Sequence, residues 1–149
     1  MNFTIKGKTI NQLEEFVIKN GFPKYRAQQI YNWMYKHGTF DIRSMKNVSN
    51  DLKSFLINNT IINTLTLHDK SECDNTVKFL FKTKANQFIE SVSMIENDKH
   101  TICLSSQVGC SVDCDFCATG KMGFISNLST GEIIDQLLFI KNIKSILKN

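Results

Sequence analysis

The chain has no apolar run approaching the ~20 residues needed to span a bilayer, which excludes a transmembrane helix. Its opening stretch, MNFTIKGKTI, has neither an apolar central region nor a small-residue cleavage site, so no secretory signal is expected and the cytoplasm is the expected compartment. Proline occurs once and arginine twice, and no internal repeat or low-complexity linker interrupts the 149 residues. A disulfide framework is also excluded: five cysteines make an odd number, three of them fall within eight residues, and a reducing compartment disfavours the bond.

What is present is ordinary soluble composition, 42% hydrophobic and 21% charged with a net charge of +4. That is too apolar for wholesale disorder and long enough for one domain or two small ones with a core. Lys, Asn and Ile number 16, 15 and 17, a skew that an AT-rich genome produces, so total charge is a weak guide to partners. Its distribution says more. Residues 1–60 hold 9 basic and 4 acidic side chains (+5), whereas residues 61–149 hold 9 and 10 (−1). The first part could face a polyanion, although a solvated lysine-rich surface fits as well.

Residues 9–20 place Ile10, Leu13, Phe16 and Val17 at helical spacing, with Gly21 where a helix would stop. Pro23 suits the start of a second helix, anchored by Tyr25, Ile30, Trp33 and Met34 and ended by His37-Gly38. Ser49–Asn58 predicts a third, with Leu52, Phe55 and Leu56 on one side. Beyond Asn59 the texture becomes β-branched and aromatic, predicting strands at Thr60–Leu67, Thr76–Thr83, Phe88–Ile95 and Thr101–Ser105. Turns are expected at Lys84-Ala85-Asn86 and Glu96-Asn97-Asp98. Ser129-Thr-Gly-Glu132 has the form of a capping box and opens a last helix reaching nearly to residue 147.

The most informative feature is Cys110-Ser-Val-Asp-Cys114-Asp-Phe-Cys117, a C-x3-C-x2-C array in a loop after a predicted strand. Three thiolates can converge there on one object. Structural zinc closes with four ligands, commonly as two separated pairs, and no second pair exists; His100 and Cys103 are the nearest spare ligands. An iron-sulfur cluster held by three cysteines keeps one iron open to an outside ligand. Gly109 and Gly120 permit a tight loop. Spacing alone leaves three readings: a cluster, a degenerate zinc site, or three unligated thiols.

Cys103-Leu-Ser-Ser-Gln107-Val-Gly109-Cys110, followed by Cys114-Asp-Phe-Cys117-Ala-Thr-Gly120, resembles the RlmN/Cfr family of radical S-adenosylmethionine RNA methyltransferases. Tyr25-Arg26-Ala27-Gln28-Gln29-Ile30, Trp33-Met34-Tyr35, Gly38 and Met45 resemble that family's N-terminal accessory domain. The resemblance implies an α+β fold: a small helical RNA-binding domain (1–59), a β-hairpin linker region (60–98), and the first βα unit of a truncated partial TIM barrel (99–149). It implies that Cys110, Cys114 and Cys117 hold a [4Fe-4S] cluster, that S-adenosyl-L-methionine binds at the open iron, and that Phe116 lies near its adenine. Glu90 matches the family's proton acceptor; without the resemblance it reads as a solvent-facing strand residue. Cys103 matches a resolving thiol that forms a transient disulfide with a methyl-carrying cysteine, and Cys73 has no assigned role.

The resemblance further implies C2 of adenosine in 23S rRNA as substrate, with tRNA as a further candidate, and a flavodoxin-like electron donor for the cluster. Only 32 residues (149 − 117) follow the last array cysteine, and none is a cysteine, so the methyl carrier is missing. The chain is therefore expected to be a fragment, inactive alone, with the apolar stripe of its last helix exposed to water. The alternatives are a stand-alone RNA-binding module with structural zinc, or an inactive remnant.

Overall fold

The computed structural model describes residues 3–97, 99–110 and 123–146, the last three as backbone only. The chain opens with β1 (Phe3–Thr4) and continues through α1 (Ile10–Lys19), α2 (Tyr25–Tyr35), a 3-10 turn at Ile42–Ser44 and α3 (Asn50–Asn59). Thr9 caps α1: its hydroxyl accepts from the Gln12 amide while the Gln12 side chain accepts from the Thr9 amide. Gly21, at φ +81°, ends that helix in a conformation that costs glycine nothing. The three helices bury Leu13, Val17, Ile30, Met34, Leu52 and Leu56 completely. Each such side chain contributes roughly 1.5–3 kcal/mol by leaving water. Tyr25, expected to anchor α2, is instead 57% exposed with Arg26 lying over its ring, and Trp33 is half-buried with its indole nitrogen donating to Asn47.

The predicted strand at Thr60–Leu67 divides in two. Thr60–Ile61 (β2) pairs in parallel with β1, fastening the start of the chain to the helical unit. The break that follows is held by side chains: Asn63 donates to the Phe40 carbonyl, and both the amide and the hydroxyl of Thr64 donate to Asp135. Then β3 (Leu65–Cys73), β4 (Thr76–Thr83), β5 (Phe88–Glu96) and β6 (Lys99–Cys103) form an antiparallel meander in that order. Asp74, Asn86 and Asn97 take the positive φ its turns demand, residue types that tolerate it. Cys73 ends β3 as an exposed thiol beside Asp74.

Alternation gives the sheet two unlike faces. Phe79, Phe81, Thr83, Ile89, Ser91 and Ser93 point inward, while Lys78, Glu90 and Met94 are exposed on the other side. A final hairpin, β7 (Gln107–Gly109) with β8 (Phe124–Asn127), leads into α4 (Thr130–Ile146), whose predicted capping box between Ser129 and Glu132 is present. The expectation that the apolar stripe of α4 faces water is overturned. Ile133, Phe139, Ile140 and Ile143 pack on the inner sheet face, and Phe139 meets Phe79, Phe81 and Phe40 edge-on.

A buried ion pair joins the first and last segments. Lys6 Nζ lies 3.2 Å from Asp135 Oδ1, with the two side chains 0% and 2% exposed, and 4.9 Å from the centre of the Phe40 ring. Burial pulls the lysine below its usual pKa, and the charge of Asp135 opposes the shift.

Candidate functional site

The hairpin of β7 and β8 brings Cys110 and Gly123, which flank the rest of the cysteine array in sequence, together. Its ladder runs from the Leu128 amide on the Ser106 carbonyl to the Cys110 amide on the Gly123 carbonyl, so Cys110 stands at the mouth, half-buried. A register shift between Val108 and Gly109 turns the strand there. Gly109 has φ +73°, and a Cβ on it would fall on the Gly123 carbonyl oxygen. Gly109→Ala therefore meets both left-handed strain and an overlap with backbone that has little room to move. We expect it to lower stability by about 2 kcal/mol or more, read as a reduced urea midpoint at unchanged m-value. Cys114, Cys117, Phe116 and Gly120 lie outside the described residues.

Glu90 and Cys103 share the outer face of the sheet. On the antiparallel ladder Cys103 stands opposite Val92, two residues from Glu90 on β5, which makes the carboxylate and the thiol diagonal neighbours. Both residues are exposed, and Lys78 Nζ lies 3.0 Å from Glu90 Oε1. The pairing of β5 with β6 ends at Cys103; one step further, the Ser105 hydroxyl donates to the Glu90 carbonyl at 2.7 Å. Glu90 thus occupies the solvent-facing strand position that its residue type alone suggests, on the same face as Cys103.

His100 and Cys103 differ by three positions along an unbroken strand and so lie on opposite faces. His100 bonds Ser93 on the inner side, with 2.7 Å between Nε2 and Oγ. The two spare ligands weighed for zinc therefore diverge. Among the described residues no three potential metal ligands converge and no disulfide forms; Cys73 and Cys103 are free thiols, so the expected disulfide finds no support here. The array's three soft thiolates suit an iron-sulfur cluster, and the hairpin fits such a group in that Gly109, lacking a Cβ, lets the strand bearing Cys110 approach Gly123.

The solved structure of a radical SAM methyltransferase from Sphaerobacter thermophilus superposes with a TM-score of 0.92 at 35% identity, over 99% of this chain and 44% of that one. The fold is thus that of part of a radical SAM methyltransferase. Residues 3–62 match the family Ribosomal RNA large subunit methyltransferase N-terminal domain. The "Dual-specificity RNA methyltransferase RlmN" of Nautilia profundicola is 41% identical over 150 residues, 93% of this chain and 42% of the relative. The "Probable dual-specificity RNA methyltransferase RlmN" of Chloroherpeton thalassium is 40% identical over 143 residues, 91% and 39%. The chain is similar to the N-terminal part of these RlmN relatives and spans about two fifths of their length.

Proposed function

We propose that the chain supplies the RNA-facing unit and the cluster loop of a cytoplasmic radical S-adenosylmethionine methyltransferase acting on C2 of adenosine in 23S rRNA, with tRNA as a second substrate. The observation that carries this reading is the hairpin closed at Gly109 and Cys110, next to a sheet whose outer face bears Glu90 and Cys103 together. Cys110, Cys114 and Cys117 would hold the [4Fe-4S] cluster, and Phe116 would lie against the adenine of S-adenosyl-L-methionine. When bound and reduced by a flavodoxin-like donor, the pair supplies a 5'-deoxyadenosyl radical.

The remaining tasks fall to side chains. Glu90, in solvent reach, would accept the proton that a methylated ring carbon must lose. Cys103 would resolve a protein–RNA adduct by attacking, as thiolate, the sulfur of a carrier cysteine, forming a disulfide while the electron pair of the broken carbon–sulfur bond stays on the base-bound carbon, which takes up a proton. The helical unit, with +5 of charge over residues 1–60, would neutralise RNA phosphates. We read residues 1–59, 60–98 and 99–149 as the accessory domain, the linker sheet and the opening of a partial βα barrel.

Anaerobic loading with iron and sulfide tests the reading. We expect about four irons and four labile sulfides per chain, with a brown chromophore. Uptake of about one zinc and no sulfide would replace the cluster with a structural metal.

A further inference from the structure

Gln136 is the one amide in Ile133–Ile140, a stretch apolar but for it and Asp135, and it is completely buried. Every hydrogen-bonding position of its side chain is used. Oε1 accepts from the Ser91 hydroxyl at 2.6 Å and from the Ser105 amide at 2.9 Å. Nε2 donates to the Ser105 carbonyl at 3.0 Å and to the Glu132 carbonyl at 3.2 Å. The amide therefore grips both backbone groups of Ser105, immediately beyond the point where β5 and β6 stop pairing. It also holds Ser91, next to Glu90, on the neighbouring strand. Ser105 passes the restraint outward through its own hydroxyl on the Glu90 carbonyl.

We infer that Gln136 is a positioning residue that fixes the separation of Glu90 and Cys103 from the opposite side of the sheet. Without it, the ladder would end at Cys103 with the half-buried backbone groups of Ser105 unpaired, and the strand carrying the thiol would be free to fray from the strand carrying the carboxylate. No other residue type of this size serves as well: leucine offers no partner to Ser105, and glutamate loses both donors while adding a buried charge. The inference rests on the roles proposed for Glu90 and Cys103, but it concerns their geometry and can be measured on metal-free protein.

The test is the rate at which Cys103 reacts with a cationic and an anionic methanethiosulfonate reagent, followed by peptide-resolved mass spectrometry with Cys73 as reference. A carboxylate held at the ~7–8 Å of a diagonal pair favours the cationic reagent, so Glu90→Gln should lower the cationic-to-anionic ratio about threefold in the otherwise unchanged chain. In a Gln136→Leu background the same substitution should change the ratio by less than about 1.5-fold, because the pair is no longer held together. A threefold effect that persists with Gln136→Leu overturns the inference, as does no effect of Glu90→Gln in the parent chain. If Gln136→Leu unfolds, seen as lost sheet circular dichroism, Ser91→Ala decides. It removes the bond by which Gln136 holds the strand of Glu90, and a full threefold effect there also overturns the inference. Failure to take up iron and sulfide would reject the proposed function while leaving this result to stand by itself.

Discussion

Cys110→Ala should abolish iron and sulfide uptake, whereas Cys103→Ala should retain the parent stoichiometry, when both are reconstituted anaerobically beside the unsubstituted chain. The division follows from where the thiols sit. Cys110 is at the mouth of the closed hairpin, bonded through its amide to Gly123, and begins the array. Cys103 is seven residues earlier, on the outer face of the sheet, beyond a segment that Gln136 and the hairpin both restrain. Removing one of three ligands leaves a cluster iron without its thiolate, and the expected result is loss of assembly rather than weakened binding. An exposed thiol at a strand end carries little stability, so Cys103→Ala should fall within about 0.5 kcal/mol of the parent in urea unfolding. Loss of iron in both variants would reject the separation of ligand from resolving thiol.

The helices were legible because a 3.6-residue period writes itself into one segment: Leu13 with Val17, and Leu52 with Leu56, reach the core as their spacing predicts. The strands were legible where alternation ran uninterrupted, and Thr76–Thr83 has the predicted bounds. What escaped is what tertiary contacts decide. The two-residue β1 and β2 have no internal pattern and exist because they pair with each other across the helical unit. The split within Thr60–Leu67 depends on Asp135, which lies 71 residues from Thr64. The covering of α4 was missed because its apolar residues fit an exposed stripe or a packed one equally well, and only the placement of the meander beneath it chooses. For the site, the cysteine spacing and the flanking glycine were readable. The shared face of Glu90 and Cys103 needs the register of β5 on β6, which no local pattern supplies. Gln136 left one signal, an amide beside Asp135 in a stretch otherwise of isoleucine, leucine and phenylalanine.

Asp135→Ala should cost about 3–5 kcal/mol, which in a domain of this size lowers the melting temperature by roughly 10 °C or more. The loss has two sources. Lys6 would remain buried with its counter-charge gone and only the Phe40 ring beside its ammonium, and the Thr64 amide and hydroxyl would lose their acceptor. The pair is not well aligned even in the parent, since Lys6 Nζ and Asp135 Oδ1 approach as ions without a hydrogen bond of good geometry. Attraction of this kind roughly offsets desolvation, so the pair as a whole adds little while either member alone is costly. Lys6→Met combined with Asp135→Leu should therefore recover most of the loss. The pH dependence follows from burial lowering the lysine's pKa below 10.5. Between the folded-state value and 10.5 the unfolded chain binds more protons, so Lys6 contributes stability that rises with pH across that window. Asp135 restrains the shift, and removing it moves the lower edge of the window down. The deficit of Asp135→Ala relative to the parent should accordingly be largest near neutral pH and shrink as the pH approaches 10. Urea titrations at two pH values check this, and a deficit below about 1 kcal/mol at pH 7, or one that grows with pH, would show that the ammonium is solvated rather than locked between the first strand and the last helix.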